Sequence, residues 1–106
     1  MPKYLMEVTY TADGARGLIK EGGSRRRQVA EAALASAGAK MEGFYFAFGD
    51  TDLYVICDAP DHAAITAASM AINAGGAVRC KTIVLMTPED LDQAAKKSVT
   101  YRAPGR

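Results

Sequence analysis

The sequence predicts an α+β domain built on a four-stranded antiparallel sheet, with helices covering one of its faces. Three observations carry that prediction. Alternating runs rich in β-branched and aromatic residues recur over Lys3–Tyr10, Lys40–Phe48, Leu53–Asp58 and Val78–Met86. Residues at helical spacing fill the intervals after the first and third runs. Only the second and third runs are joined by a link short enough for a hairpin, Gly49-Asp50-Thr51-Asp52.

In the first strand Tyr4, Met6 and Val8 alternate with Leu5, Glu7 and Thr9. Asp13-Gly14 marks a turn, a short helical stretch over Ala15–Lys20 is broken by Gly22-Gly23, and a stronger helix opens with Ser24 as its expected N-cap. Val29, Ala30, Ala33, Leu34 and Ala37 share one face of that helix, and Gly38 stands where a left-handed C-terminal residue belongs. In the second strand strict alternation sets Phe44, Phe46 and Phe48 against Met41, Gly43, Tyr45 and Ala47. Gly49 supplies a positive φ to the hairpin, and the third strand follows with Leu53, Val55 and Cys57 opposed to Tyr54 and Ile56.

Pro60-Asp61 opens the next helix, Asp61 to about Asn73, with Ile65, Ala68, Ser69 and Ile72 at helical spacing and Gly75-Gly76 ending it. After the fourth strand, Thr87 caps a last short helix reaching about Lys97, with Pro88 in its first turn and Glu89 and Asp90 favoured by the dipole. Residues 1–100 then form one domain and 101–106 a polar tail. The order β-α-β-β-α-β plus a terminal helix is the split βαβ, ferredoxin-like arrangement, with spatial strand order 4-1-3-2. Cys57 and Cys80 would lie two inter-strand spacings apart, roughly 9–10 Å, too far for a disulfide.

A chain of 106 residues with net charge +1 has a core of modest size and no field to hold nucleic acid or an anionic membrane, so neither is an expected partner. Met1-Pro2-Lys3-Tyr4 does not read as a signal peptide and no run is long enough to span a bilayer, which makes a soluble, cytoplasmic protein the expectation. The two cysteines have neither CxxC spacing nor accompanying histidines, so no metal is expected, and no cofactor motif is present.

Two helices cover one side of a sheet, yet both sides of several strands carry apolar residues. Something must cover the second side, and self-association through it is expected, as a homodimer first and a trimer second. Candidate chemistry is sparse. Gly22-Gly23-Ser24-Arg25-Arg26-Arg27 sets Ser24 and Arg25 at a helix N-terminus where an anion could bind, although a solvated basic loop explains the same residues. His62, the only histidine, follows Pro60-Asp61 at a helix start and is a candidate base with a plain surface alternative. Glu7, Tyr45, Tyr54 and Asp52 could line a small pocket, with Tyr45, Tyr54 and Asp52 binding a ligand and Glu7 as acid or base. The structural alternative makes Tyr45 an interface aromatic and Asp52 a cap on the hairpin turn.

The sequence Gly43-Phe44-Tyr45-Phe46-Ala47-Phe48-Gly49-Asp50-Thr51-Asp52, with Gly43, Tyr45, Gly49 and Asp52 in place, resembles the signature of the GYD-domain family of small bacterial proteins. The likeness runs from about Pro2 to Pro88 and includes Ala59-Pro60-Asp61 and Val78-Arg79; Arg25-Arg26-Arg27 departs from the mixed-charge helix start expected there. The resemblance implies membership of the dimeric α/β-barrel group, whose sheets pair across a two-fold axis, and carries over no catalytic residue. The expected function is that of a cofactor-free homo-oligomer that binds a small molecule or serves an accessory or regulatory role. The alternative is a cofactor-independent monooxygenase or isomerase acting on a small, aromatic compound. A purely structural assembly module is a third expectation.

Overall fold

The computed structural model describes residues 1–106. Its elements run β1 Lys3–Tyr10, α1 Ala12–Glu21, α2 Gly23–Ser36, β2 Lys40–Phe46, β3 Leu53–Asp58, α3 His62–Ala74, β4 Val78–Leu85 and α4 Pro88–Ala95. The four strands form one sheet in the order β2-β3-β1-β4, every neighbouring pair antiparallel; read from the β4 edge this is 4-1-3-2.

Alternation along β1 and β3 sorts the two sides of the sheet. Tyr4, Met6 and Val8 on β1, and Leu53, Val55 and Cys57 on β3, are buried and cluster with Leu34 of α2 and Ile65 and Ala68 of α3. Each such side chain taken from water contributes about 1.5–3 kcal/mol. α2 lies over β2 and α3 over β4, on this same side. Leu5, Glu7 and Thr9 point to the other side, where no helix of the chain packs.

The first crossover holds two helices rather than one. Thr11 caps α1, its hydroxyl accepting the Gly14 N–H at 3.1 Å. The Thr11 N–H and hydroxyl both donate to the Ala77 carbonyl, at 3.0 and 3.1 Å, which ties α1 to the start of β4. Gly14 makes that approach possible: a Cβ there would sit 1.8 Å from the Ala77 carbonyl oxygen. Helical propensity over Ala15–Lys20 is weak, and the helix extends further because this docking supports it. Gly22, at φ 89°, then turns the chain directly into α2. It also occupies the N-cap, so Ser24 does not cap: α2 begins at Gly23 without a side-chain cap.

β2 departs from strict alternation. Met41 pairs with Cys57 and Gly43 with Ile56, so Glu42 is an extra residue in a β-bulge. The bulge inverts the pattern behind it, and Met41 joins Phe44 against the core instead of sharing the side of Gly43 and Tyr45. Phe44 and Phe46 meet edge to face with centroids 5.4 Å apart. The strand ends at Phe46, leaving Phe48 fully exposed in the hairpin loop, where Gly49 has φ 115°.

α3 starts one residue after Asp61, whose carboxylate accepts the Ala64 N–H at 2.8 Å. α4 is closed by a reciprocal capping box between Thr87 and Asp90. It has no buried residue and no substantial contact with another element. The radius of gyration, 16.9 Å, accordingly exceeds the ~13 Å of a compact domain of this length. No helix is long and apolar enough to cross a membrane. Cys57 and Cys80 are both free thiols, on strands separated by β1, Cys57 buried and Cys80 half-buried.

Candidate functional site

The residues singled out in the sequence divide between the two sides of the sheet. Register places Tyr45, Tyr54, Glu7 and Lys81 in one row across the uncovered side, from β2 through β3 and β1 to β4. Gly43, Ile56, Leu5 and Ile83 form the next row. Glu7 therefore faces away from the helices, and Tyr45 is 67% exposed. At the end of this face the Lys3 ammonium donates to Glu42 and, at 2.9 Å, to Asp58. Those hydrogen bonds, Glu42 first and Asp58 second, raise the Lys3 pKa above its ordinary value.

His62 belongs to the helix side. Its Nδ1 lies 2.6 Å from the hydroxyl of Tyr4, whose ring is wholly buried and meets the imidazole edge-on at 5.7 Å. Burial raises the Tyr4 pKa, so the phenol stays protonated and can donate to an unprotonated Nδ1. The sheet stands between this pair and the Glu7 row. Glu7 and Tyr45 border two separate open grooves, and His62 lines neither of them.

Ser24 and Arg25 are both exposed on the first turn of α2. This N-terminus follows α1 directly, has no capping hydroxyl, and borders an open groove lined by Gly23, Ser24, Arg27, Phe44 and Phe46.

The signature residues have local work. The Tyr45 ring covers Gly43, whose Cβ, if present, would lie 3.1 Å from the Tyr45 Cε2. Asp52 does not cap the hairpin turn with its side chain. Its backbone N–H donates to the Val8 carbonyl at 3.0 Å and its carboxylate accepts the Tyr10 N–H at 2.9 Å, closing the end of β1 beyond the ladder. The pattern of the GYD domain matches residues 4–95, most of the chain. The chain belongs to the GYD-domain family. No curated protein matches it.

Asp52 of the GYD signature thus holds Tyr10, and Tyr10 leads to the cleft that the sequence reading missed. Between α2 and the helix side of the sheet lies a cavity of about 50 Å³. Met6, Val8, Leu53 and Val55 form its floor, and Ala30 and Ala33 its roof. Alanines cannot span the gap between a helix and a sheet, and Leu34 is the only fully buried residue of α2. Arg26 is the one charged residue in the lining. The Tyr10 hydroxyl is shut off from solvent, with the Arg26 guanidinium as its side-chain neighbour. Burial raises the Tyr10 pKa, and the nearby Arg26 guanidinium offsets part of that rise. Two signals pointed here: Tyr10 continues the 4-6-8 alternation of buried positions, and Arg26 precedes Ala30 and Ala33 at helical spacing.

Proposed function

We propose that this GYD-domain protein acts as a homo-oligomer, a dimer before a trimer, that binds a small apolar molecule in an accessory or regulatory role and without a cofactor. The supporting observation is an apolar belt on the uncovered sheet face, Leu5, Tyr45, Tyr54, Ile56 and Ile83, which the chain's own helices leave open. The exposed area of one chain is 7599 Å², against about 5,700 Å² for a compact monomer of this mass. α4, which buries no residue, contributes to that excess together with the open sheet face. By analogy with the ferredoxin-like topology and the dimeric α/β-barrel group, the partner is a second sheet packed across a two-fold axis. The two free thiols fit a reducing, cytoplasmic setting.

An enzymatic role would have gained from a cavity combining Glu7, Tyr45 and His62, whereas Glu7 and Tyr45 share a row on the open face and His62 lies on the helix side against Tyr4. The cleft instead pairs apolar walls with two polar groups, the composition of a small-molecule site. Native mass spectrometry of the wild type and Ile56→Lys tests the assembly. The wild type is expected as a dimer or trimer, and Ile56→Lys as a folded monomer, since a charge would enter the centre of the belt. A monomeric wild type at every concentration, or an unchanged oligomer in the variant, would remove the open face from the proposal.

A further inference from the structure

α4 has the make-up of a contact helix and, within the chain, nothing to lie against. A capping box and a proline close its start, yet every residue of it is exposed and no other element packs on it. A helix of eight residues is marginal in water by itself and gains its stability from a surface that covers one side. Leu91, Ala94 and Ala95 share one side at spacings of three and four, and Glu89 and Asp92 lie together on the flank beside them. Neither acid meets a cation of its own chain.

A matching surface lies along the outer edge of β2. Gly23, Ser24, Arg27, Phe44 and Phe46 line an open groove there, and Phe48 stands fully exposed just beyond the strand. Arg25 and Arg27 rise from the first turn of α2 without an acidic partner, at the helix end whose dipole disfavours cations. Exposed rings beside unpaired arginines complement an apolar stripe beside unpaired acids. The chain does not bring the two together by itself. Register puts Leu85, Lys3 and Asp58 at one end of the sheet and Cys80, Val8, Leu53 and Phe46 at the other. α4 leaves from the first end of β4 and the groove sits at the second end of β2, opposite corners about 14 Å apart across the strands and about 17 Å along them. α2 and α3 fill the helix side between these corners, and only Met86 and Thr87 link α4 to β4.

We propose that α4 of one copy docks in the β2-edge groove of a second copy, reciprocally in a dimer, with Leu91 against Phe46 and Phe48, and with Glu89 and Asp92 facing Arg25 and Arg27. The proposal rests on the homo-oligomer reading above and adds to it a contact separate from the open sheet face.

The test compares two full-length charge reversals by native mass spectrometry and sedimentation, each alone and as a mixture. One carries Arg25→Glu with Arg27→Glu, the other Glu89→Lys with Asp92→Lys; Asp90 is kept because it closes the capping box. Each alone sets like charges against each other across the contact and is expected to weaken the dimer about tenfold or more. Mixed, the two are expected to form a heterodimer within about threefold of the wild-type affinity, because both of its contacts again pair opposite charges. The arginine reversal places acids at a helix N-terminus, where the dipole favours them, so its monomer should unfold no earlier than the wild-type chain in dilute protein. Reversals that associate as tightly as the wild type would overturn the docking and leave the open-face oligomer standing. Weakened reversals whose mixture stays monomeric would overturn the exchange between copies. A wild type that is monomeric at every concentration would remove the oligomer reading itself and this contact with it.

Discussion

The two faces of the sheet come from the same strands, residue by residue, and end in different states. On the helix side Tyr4, Met6, Val55 and Cys57 are exposed by 4% or less. One position along, Leu5, Tyr54 and Ile56 are only half-covered, and by their own sheet neighbours rather than by a second layer. A two-layer fold is complete when each apolar face has a partner, so the helix side is finished within the chain and the other side is not. The difference separates the face that closes the chain's own core from the face through which assembly is proposed. It also shows that the closed face is imperfectly closed: α3 brings Ile65 down onto the core, while α2 brings mostly alanines and leaves a cleft.

The largest expected effect tests that separation directly. Met6→Ala removes a side chain that is 2% exposed, and should cost about 2–5 kcal/mol in urea denaturation whatever the protein concentration. Leu5→Ala, the adjacent residue on the other face, should cost much less in dilute protein, with a deficit that grows at concentrations where the wild type associates. Equal, concentration-independent losses for the pair would erase the distinction between a folding face and an assembly face.

Most of this architecture is legible in the sequence because it follows from period and punctuation. The alternation of Tyr4, Met6 and Val8, the glycine at 49 and the capping pattern of Thr87 to Asp90 are local signals with local causes. What escaped was decided by contacts between distant residues. Nothing adjacent to Glu42 announces a bulge; it arises from how β2 meets β3, and it moves Met41 to the other side. Thr11 becomes a helix cap because Ala77 holds it, and Ser24 loses that role because Gly22 joins α1 to α2 without a loop. Likewise Asp52 looks like a turn residue until β1 brings the Tyr10 N–H to it. The cleft is the hardest case, since a row of alanines reads as close packing and only the position of α2 turns it into space.

A second, smaller effect distinguishes the faces by pH. Burial pushes the Cys57 thiol from 9.0 up to about 11. Between those values the unfolded chain has released a proton that the folded chain keeps, so the contribution is intact below pH 9 and declines as pH rises toward 11. The loss should be at most about 2–3 kcal/mol. Tyr4, also raised by burial, and the Lys3 ion pairs act in the same direction at higher pH, so the comparison must be with Cys57→Ala at each pH. The variant should be less stable at neutrality but show a shallower alkaline decline. Identical alkaline slopes would mean that the closed face admits solvent to Cys57.

The smallest expected effect lies on the open face and concerns Gly43. A Cβ at this position would press against the edge of the Tyr45 ring at 3.1 Å, and that ring is exposed, with open space into which it can swing. Gly43→Ala should therefore change the stability of the separated chain by less than about 1 kcal/mol, since a strand gains from losing a glycine roughly what the displaced aromatic gives up. Assembly has a different stake in the same ring. If Tyr45 lies flat over Gly43 to form part of a smooth belt, displacing it roughens the surface that a second sheet must match, and sedimentation should show a weaker oligomer with an unchanged unfolding midpoint in dilute protein. Tyr45→Ala should weaken the oligomer in the same way. A Gly43→Ala protein that associates as tightly as the wild type would show that the glycine and tyrosine of the signature serve the single sheet, not the meeting of two.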